Sequence, residues 1–169
     1  MPRWEQLVPL QISREALIRF AAFFDAEGYV CILRTKPPTK RRPTPKYELR
    51  VGMTMTHQAT VRGFFETFGG HMSFDRRRPK LKYVWQAGQL LALRCLNTLA
   101  PELTIKRRQA EIAARFMATF TDANRRGRGV PLEPHLLRER LRLVEQMSAL
   151  NDSHWHRKRL AAKKANRPK

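Results

Sequence analysis

The apolar positions along this chain alternate between helical and strand periods. Ser13 fits a helix N-cap, and Leu17, Phe20, Ala21 and Phe24 then recur three and four residues apart. That spacing predicts a helix through about Ala26 with one apolar stripe, ended by Gly28. Tyr29 to Thr35 reads as a strand with Val30 and Ile32 on one face. Residues 36–46 contain four prolines, each of which fixes φ and removes a donor, so this stretch is a long basic loop between two strands. The second strand, about Tyr47 to Thr56, alternates cleanly. Leu49, Val51, Met53 and Met55 take one face, and Glu48, Arg50, Gly52, Thr54 and Thr56 take the other. This is the pattern of an antiparallel strand buried on one side.

A helix follows over about Gln58 to Phe68, with Val61, Phe64, Phe65 and Phe68 inward, and Gly69-Gly70 stops it. His71 to Arg76 and Lys82 to Ala87 form a predicted hairpin around Arg77-Arg78-Pro79-Lys80. The next helix, about Gln89 to Leu99, turns Leu90, Leu93, Leu96 and Leu99 inward before Pro101 interrupts it. Another carries Ile105 to Phe120, with Ile105, Ile112, Phe116 and Phe120 inward. A basic Gly/Pro loop spans 124–134. The last helix, about His135 to Leu150, keeps Leu137, Leu141, Val144 and Met147 on one side. The order is helix, two strands, helix, two strands, helices: an α+β chain with a four-stranded antiparallel sheet. One domain is expected over 1–153. From residue 154 to 169 the chain is basic with little to bury, and reads as a frayed or disordered tail.

Charge narrows the partners. Among 169 residues, 34 are Lys or Arg and 14 are Asp or Glu, a formal net charge of +20 with a sequence pI near 11.4. A compact state with that much self-repulsion is expected to meet a polyanion, and nucleic acid is the commonest. The two cysteines, Cys31 and Cys95, lie far apart without a Cys-x-x-Cys, which argues against a zinc ribbon and a disulfide framework and fits a reducing compartment. No apolar run approaches the ~20 residues of a membrane span, and the first ten residues lack a signal-peptide core. The expectation is a soluble intracellular protein with no membrane partner, in a bacterial or archaeal cytoplasm or an organelle.

The stretch Phe20-Ala21-Ala22-Phe23-Phe24-Asp25-Ala26-Glu27-Gly28 carries the chemistry. An apolar helix does not normally end on acids, because its dipole disfavours negative charge there. Asp25 and Glu27 therefore imply something positive beside them, and a divalent cation held between protein and phosphate is a candidate. Ala22 and Ala26, four apart, share one face, and their small side chains let a second helix approach closely. His154 and His156 flank Trp155 on the basic tail, where a metal site is not expected.

This nine-residue segment resembles the signature of the LAGLIDADG homing endonucleases, and the αββαββα order matches that family's fold. Three further stretches resemble its single-motif members: Thr54 to Phe65, Leu99 to Ile112 and Leu150-Asn151-Asp152-Ser153. The likeness covers roughly residues 14 to 155. It implies a LAGLIDADG fold with a four-stranded DNA-binding sheet, plus C-terminal helices. It implies a homodimer that cuts both strands of a long, near-palindromic double-stranded DNA site, leaving staggered 3′ overhangs. Mg²⁺ is the implied cofactor, with Mn²⁺ or Ca²⁺ able to substitute in binding. Glu27, at the eighth motif position, corresponds to the metal-binding catalytic acid, with Glu where the consensus has Asp. Lys106 matches the active-site lysine, and His57 falls where a water-organising residue, commonly Gln, is found. Asp25 occupies a position that is structural in the family, near helix ends, and Ala22 and Ala26 lie in its central helix interface. Such enzymes are usually encoded within introns or inteins, and this chain fits an intron reading frame. The alternative is a non-catalytic nucleic-acid-binding protein of the same fold, such as a maturase with intron RNA as its partner.

The sheet would supply the reading surface in the major groove. Alternation exposes Leu33 and Thr35, then Glu48, Arg50 and Thr54, then Ser73 and Asp75. On the last strand Lys82 is the polar choice, whereas the resemblance would turn Trp85 toward the DNA. Arg34, Lys40, Arg41, Arg42, Lys46, Arg76, Arg77, Arg78 and Lys80 are expected to clamp phosphates. Arg62 lies near enough to His57 in sequence to face the same water network.

Overall fold

A computed structural model describes residues 8–36, 45–76, 80–120 and 133–151. The expected clamps Lys40, Arg41, Arg42, Arg77 and Arg78, and the tail from residue 154, lie outside the described residues.

Helix α1 covers Arg14–Glu27, and the Ser13 hydroxyl accepts the Ala16 N–H at 3.2 Å to cap it. Strands β1 (Gly28–Lys36) and β2 (Lys46–Met55) follow, then α2 (Gln58–Phe68), β3 (His71–Asp75), β4 (Lys82–Gly88), α3 (Gln89–Leu99), α4 (Arg107–Ala118) and α5 (Pro134–Asn151). The four strands form one sheet in the order β1-β2-β4-β3, with every neighbouring pair antiparallel.

The helix-to-strand joint at Gly28 is set by space. Its φ of −75° suits any residue, but a Cβ there would lie 2.5 Å from the Phe24 carbonyl oxygen and 2.6 Å from its ring. The Gly69-Gly70 stop after α2 is set by backbone instead, with φ of 71° and 98°.

The helices cover one face of the sheet. Val30, Ile32, Leu49, Val51, Met53, Trp85 and Ala87 point into that core. Phe20, Phe24, Phe64, Phe68 and Trp85 form an aromatic cluster; the Phe20 and Phe64 rings meet edge-on at 4.8 Å, and Phe64 lies 5.1 Å from Trp85. The Trp85 indole N–H donates to the Gly69 carbonyl at 2.7 Å, so its single polar atom is satisfied. Trp85 thus belongs to the core, and alternation on β4 prevails over the expectation that it turns outward.

Three inward assignments do not hold. Ile105 is 69% exposed, because residues 104–106 form a turn and α4 begins only at Arg107. Phe65 is 40% exposed at the margin of α2, and Leu141 is exposed on α5. The α5 position facing α4 is taken by Arg140, which is buried. Its Nε donates to the Thr119 hydroxyl at 2.7 Å, a terminal N–H donates to the Thr119 carbonyl at 2.8 Å, and the guanidinium stacks 4.0 Å from the Phe120 ring centroid. Burial pulls its pKa down to about 10. A cation at a core position breaks the apolar stripe that a sequence reading follows.

Candidate functional site

Among the described residues, no helix covers the sheet's second face. The register places Tyr29, Cys31 and Leu33 of β1 on the same side as Glu48, Arg50, Gly52 and Thr54 of β2, Lys82, Val84 and Gln86 of β4, and His71, Ser73 and Asp75 of β3. Leu33, Glu48, Arg50, Thr54, Ser73, Asp75 and Lys82, expected to face DNA, lie on this side, and Lys82 stands opposite Asp75; the side chain of Thr35, at the irregularity between Arg34 and Lys36, lies outside the described ones. The sequence reading did not single out Tyr29, Cys31, Val84, Gln86 and His71. Extending the alternation one step along each strand would have found them. Tyr29 lies across the gap left by Gly52, where a Cβ would come within 2.6 Å of its hydroxyl oxygen, and it hydrogen-bonds to Gln86. On this face Glu48 is engaged by two cations, Lys46 at 2.7 Å and Arg50 at 3.8 Å. Arg34, Arg76 and Lys80 are exposed near the strand ends, Arg34 opposite Tyr47 and therefore on the other side of the sheet.

At one end of the sheet, where α1 passes into β1, two acids take different roles. Asp25 is bound. Its carboxylate accepts the backbone N–H groups of Thr104 at 2.7 Å, Ile105 at 3.0 Å and Lys106 at 2.9 Å, and the Lys106 ammonium donates to the Asp25 carbonyl oxygen. Helix α4 has no capping side chain of its own, so Asp25 caps it from another element. Burial alone would raise the Asp25 carboxyl, but the three amide donors and the Lys106 charge outweigh it and hold the pKa below the ordinary value. The positive partner implied by an acid at a helix C-terminus is, for Asp25, a helix N-terminus and a lysine.

Glu27 is exposed and makes no ion pair among the described residues. It is close enough to Lys106 to act on it electrostatically. Desolvation lowers the Lys106 pKa, and attraction to Asp25 and Glu27 offsets part of that. Ala22 and Ala26 are exposed on α1, and Ile18, four residues earlier and 46% exposed, extends their stripe. His57 is the N-cap residue of α2, its Nδ1 2.8 Å from the Thr60 hydroxyl, in a shallow groove shared with Arg19, Phe20 and Phe23. Arg62 lines a different groove, with Phe65 and Phe74, and so does not share the surroundings of His57.

Among the described residues no three His, Cys, Asp or Glu side chains converge on a metal position. A cation at Glu27 would need further ligands from outside the chain. That suits Mg²⁺, which keeps several waters and takes one or two carboxylates plus phosphate oxygens. No helix among the described residues is long and apolar enough to cross a membrane.

No protein-family model matches the sequence, and no curated protein does. Solved structures do match the fold. The homing endonuclease I-CvuI in complex with its target superimposes with a TM-score of 0.63 at 16% identity, over 82% of this chain and 83% of that one. The archaeal intron-encoded homing endonuclease I-Vdi141I complexed with DNA gives 0.62 at 14% identity, over 80% and 84%. The LAGLIDADG homing endonuclease I-SmaMI bound to cleaved DNA gives 0.60 at 13% identity, with 80% of this chain spanning 45% of that one. The chain has the LAGLIDADG homing endonuclease fold, extended by helices after the αββαββα unit.

Proposed function

We propose that this chain is a site-specific, divalent-metal-dependent DNA endonuclease that acts as a homodimer. The observation that carries the reading is the division of labour at the end of α1. Asp25 is consumed by structure, while Glu27, two residues on, is left exposed beside a partly desolvated lysine. Two features support the rest. The open sheet face is rimmed by cations and suits a major groove. The Ile18-Ala22-Ala26 stripe suits close packing of α1 against its twin across a twofold axis, which would bring two Glu27 carboxylates together.

Glu27 would hold Mg²⁺, with Mn²⁺ or Ca²⁺ as substitutes in binding; the ion supplies charge neutralisation at the transferring phosphate. The protein's own groups do the remainder. Lys106 places an ammonium near the phosphate, and its partial desolvation strengthens that attraction. With Nδ1 engaged by Thr60, His57 presents Nε2 to orient a water. Arg50 offers a bidentate donor to guanine, and Lys82, Arg76 and Lys80 hold the phosphate backbone.

Incubation with a randomised duplex library in Mg²⁺, followed by capture of cut ends, tests this directly. The expected product is a near-palindromic site cut once per strand. Absence of cutting with both Mg²⁺ and Mn²⁺, or a stable monomer on a complete site in sedimentation, would overturn the corresponding part.

A further inference from the structure

One cross-strand row on the open face is tied together across three strands. Tyr29 of β1 pairs with Gly52 of β2, and Gly52 pairs with Gln86 of β4. Glycine is needed in the middle for space. A Cβ there would lie 2.6 Å from the Tyr29 hydroxyl oxygen, 2.8 Å from the ring carbon that bears it and 2.5 Å from the Trp85 carbonyl oxygen. The end of the Tyr29 ring therefore takes the place of the missing side chain. It crosses β2 and hydrogen-bonds to the Gln86 side chain on the far strand. Gln86 is part-exposed and lines a shallow recess of the open face with Thr54, Ser73 and Val84. Its amide is held from one side by a tyrosine and open to the surface on another.

We infer that Gln86, held in place by Tyr29, reads one adenine per subunit in the major groove of duplex DNA. This deepens the reading of the open face as a duplex-binding surface and rests on it, though not on cleavage. A primary amide has two N–H donors and a carbonyl oxygen with two lone pairs. Whichever of these Tyr29 engages, an N–H and a lone pair remain. Together they match an N7 acceptor beside an N6 amino donor, a combination that adenine alone presents on one base in that groove. An untethered glutamine can turn its amide over and offer donor and acceptor in either order. The tyrosine tether removes that freedom, and with it part of the ordering cost that a bound base would otherwise impose. Gln86 is thus the group that touches the base, and Tyr29 is a positioning residue that acts through it. Arg50 stands in the next row, two residues along β2 from Gly52, so the adenine reader neighbours the residue assigned to guanine.

The test selects bound duplexes from a randomised library with the full chain in Ca²⁺, at about 200 mM salt to suppress diffuse charge binding. Binding is read, not cutting. The parent profile should contain a half-site position where adenine is preferred over the other bases by about 5- to 150-fold. Gln86→Ala should erase the preference at that position and leave the others intact. Gln86→Glu keeps the size but offers acceptors only, so the preferred base there should change to cytosine, which presents an N4 donor. Tyr29→Phe keeps the ring over Gly52 and removes the hydroxyl. It should relax the same position while the rest of the profile and the affinity for unrelated duplex hold; a tyrosine that merely supports the sheet would weaken every position together. Adenine preferences that survive both Gln86 variants, or a Tyr29→Phe profile that shifts everywhere alike or nowhere, would overturn the inference and leave duplex reading standing. A parent profile flat at every position would overturn duplex reading itself.

Discussion

Asp25 and Lys106 hold each other twice: the Asp25 carboxylate accepts the Lys106 backbone N–H at 2.9 Å, and the Lys106 ammonium donates back to the Asp25 carbonyl oxygen. The pair is 81 residues apart in sequence. It joins the end of α1 to the start of α4, and so fixes the distance between Glu27 and the lysine beside it.

Asp25→Asn should therefore loosen the joint. An amide offers one acceptor oxygen where the carboxylate uses two to meet three N–H donors. The expected loss is about 1–3 kcal/mol, measured by urea unfolding. The effect has a pH signature. The Asp25 pKa is depressed in the folded state, so its stabilisation is complete above the unfolded value near 3.8 and disappears as pH falls through the folded value. The gap between parent and variant should be constant near neutrality and close below about pH 4. A gap that widens on acidification would contradict the assignment.

Glu27→Gln keeps shape and removes charge. Because Glu27 is exposed and supports no described fold contact, unfolding should be unchanged and DNA binding retained, while strand cleavage in Mg²⁺ falls by at least about a thousandfold. Cleavage at the parental rate would move the metal ligand elsewhere.

Gly28→Ala introduces a Cβ only 2.5 Å from the Phe24 carbonyl oxygen. The obstacle includes backbone, so relaxation requires moving the α1 end. A cost of about 1–3 kcal/mol in urea unfolding is expected. Cleavage should fall further than stability predicts, since Glu27 sits at the displaced end.

Arg140→Met fills similar volume but abandons two hydrogen bonds to Thr119 and leaves that buried carbonyl without its guanidinium donor. We expect a loss of about 1–3 kcal/mol. Arg140→Lys should recover only part of it, because a single ammonium cannot reproduce the planar fork. A variant as stable as the parent would show that the buried cation contributes nothing net.

The strands were the most legible part of this chain. Clean alternation through Leu49, Val51 and Met53 gives the β2 faces without ambiguity, and antiparallel pairing extends them across the sheet. The helices were less so wherever tertiary contacts decide an end. Ile105 continues the apolar spacing of α4, yet Asp25 seizes the amides of residues 104–106 and starts the helix later. Nothing local to 104–106 encodes that, because the capping carboxylate comes from α1. Arg140 was illegible for the opposite reason: its partners Thr119 and Phe120 are distant, and an arginine between Arg138 and Arg142 in a charged helix looks as solvent-facing as they are. At the site, the acids were visible as an anomaly against the helix dipole. Which of the two is free became visible only once α4 was in place.

The last described turn of α5 reaches the outermost strand, where the Asn151 amide donates to the Val30 carbonyl at 2.8 Å. Among the described strands β1 has a neighbour on one flank only, and the backbone edge on its other flank is of the kind that invites a foreign strand. Asn151 plugs that seam near its start. A chain that loses this residue keeps its core but uncovers a strip of backbone able to zip onto another molecule, so self-association, rather than unfolding, is the failure to expect from it.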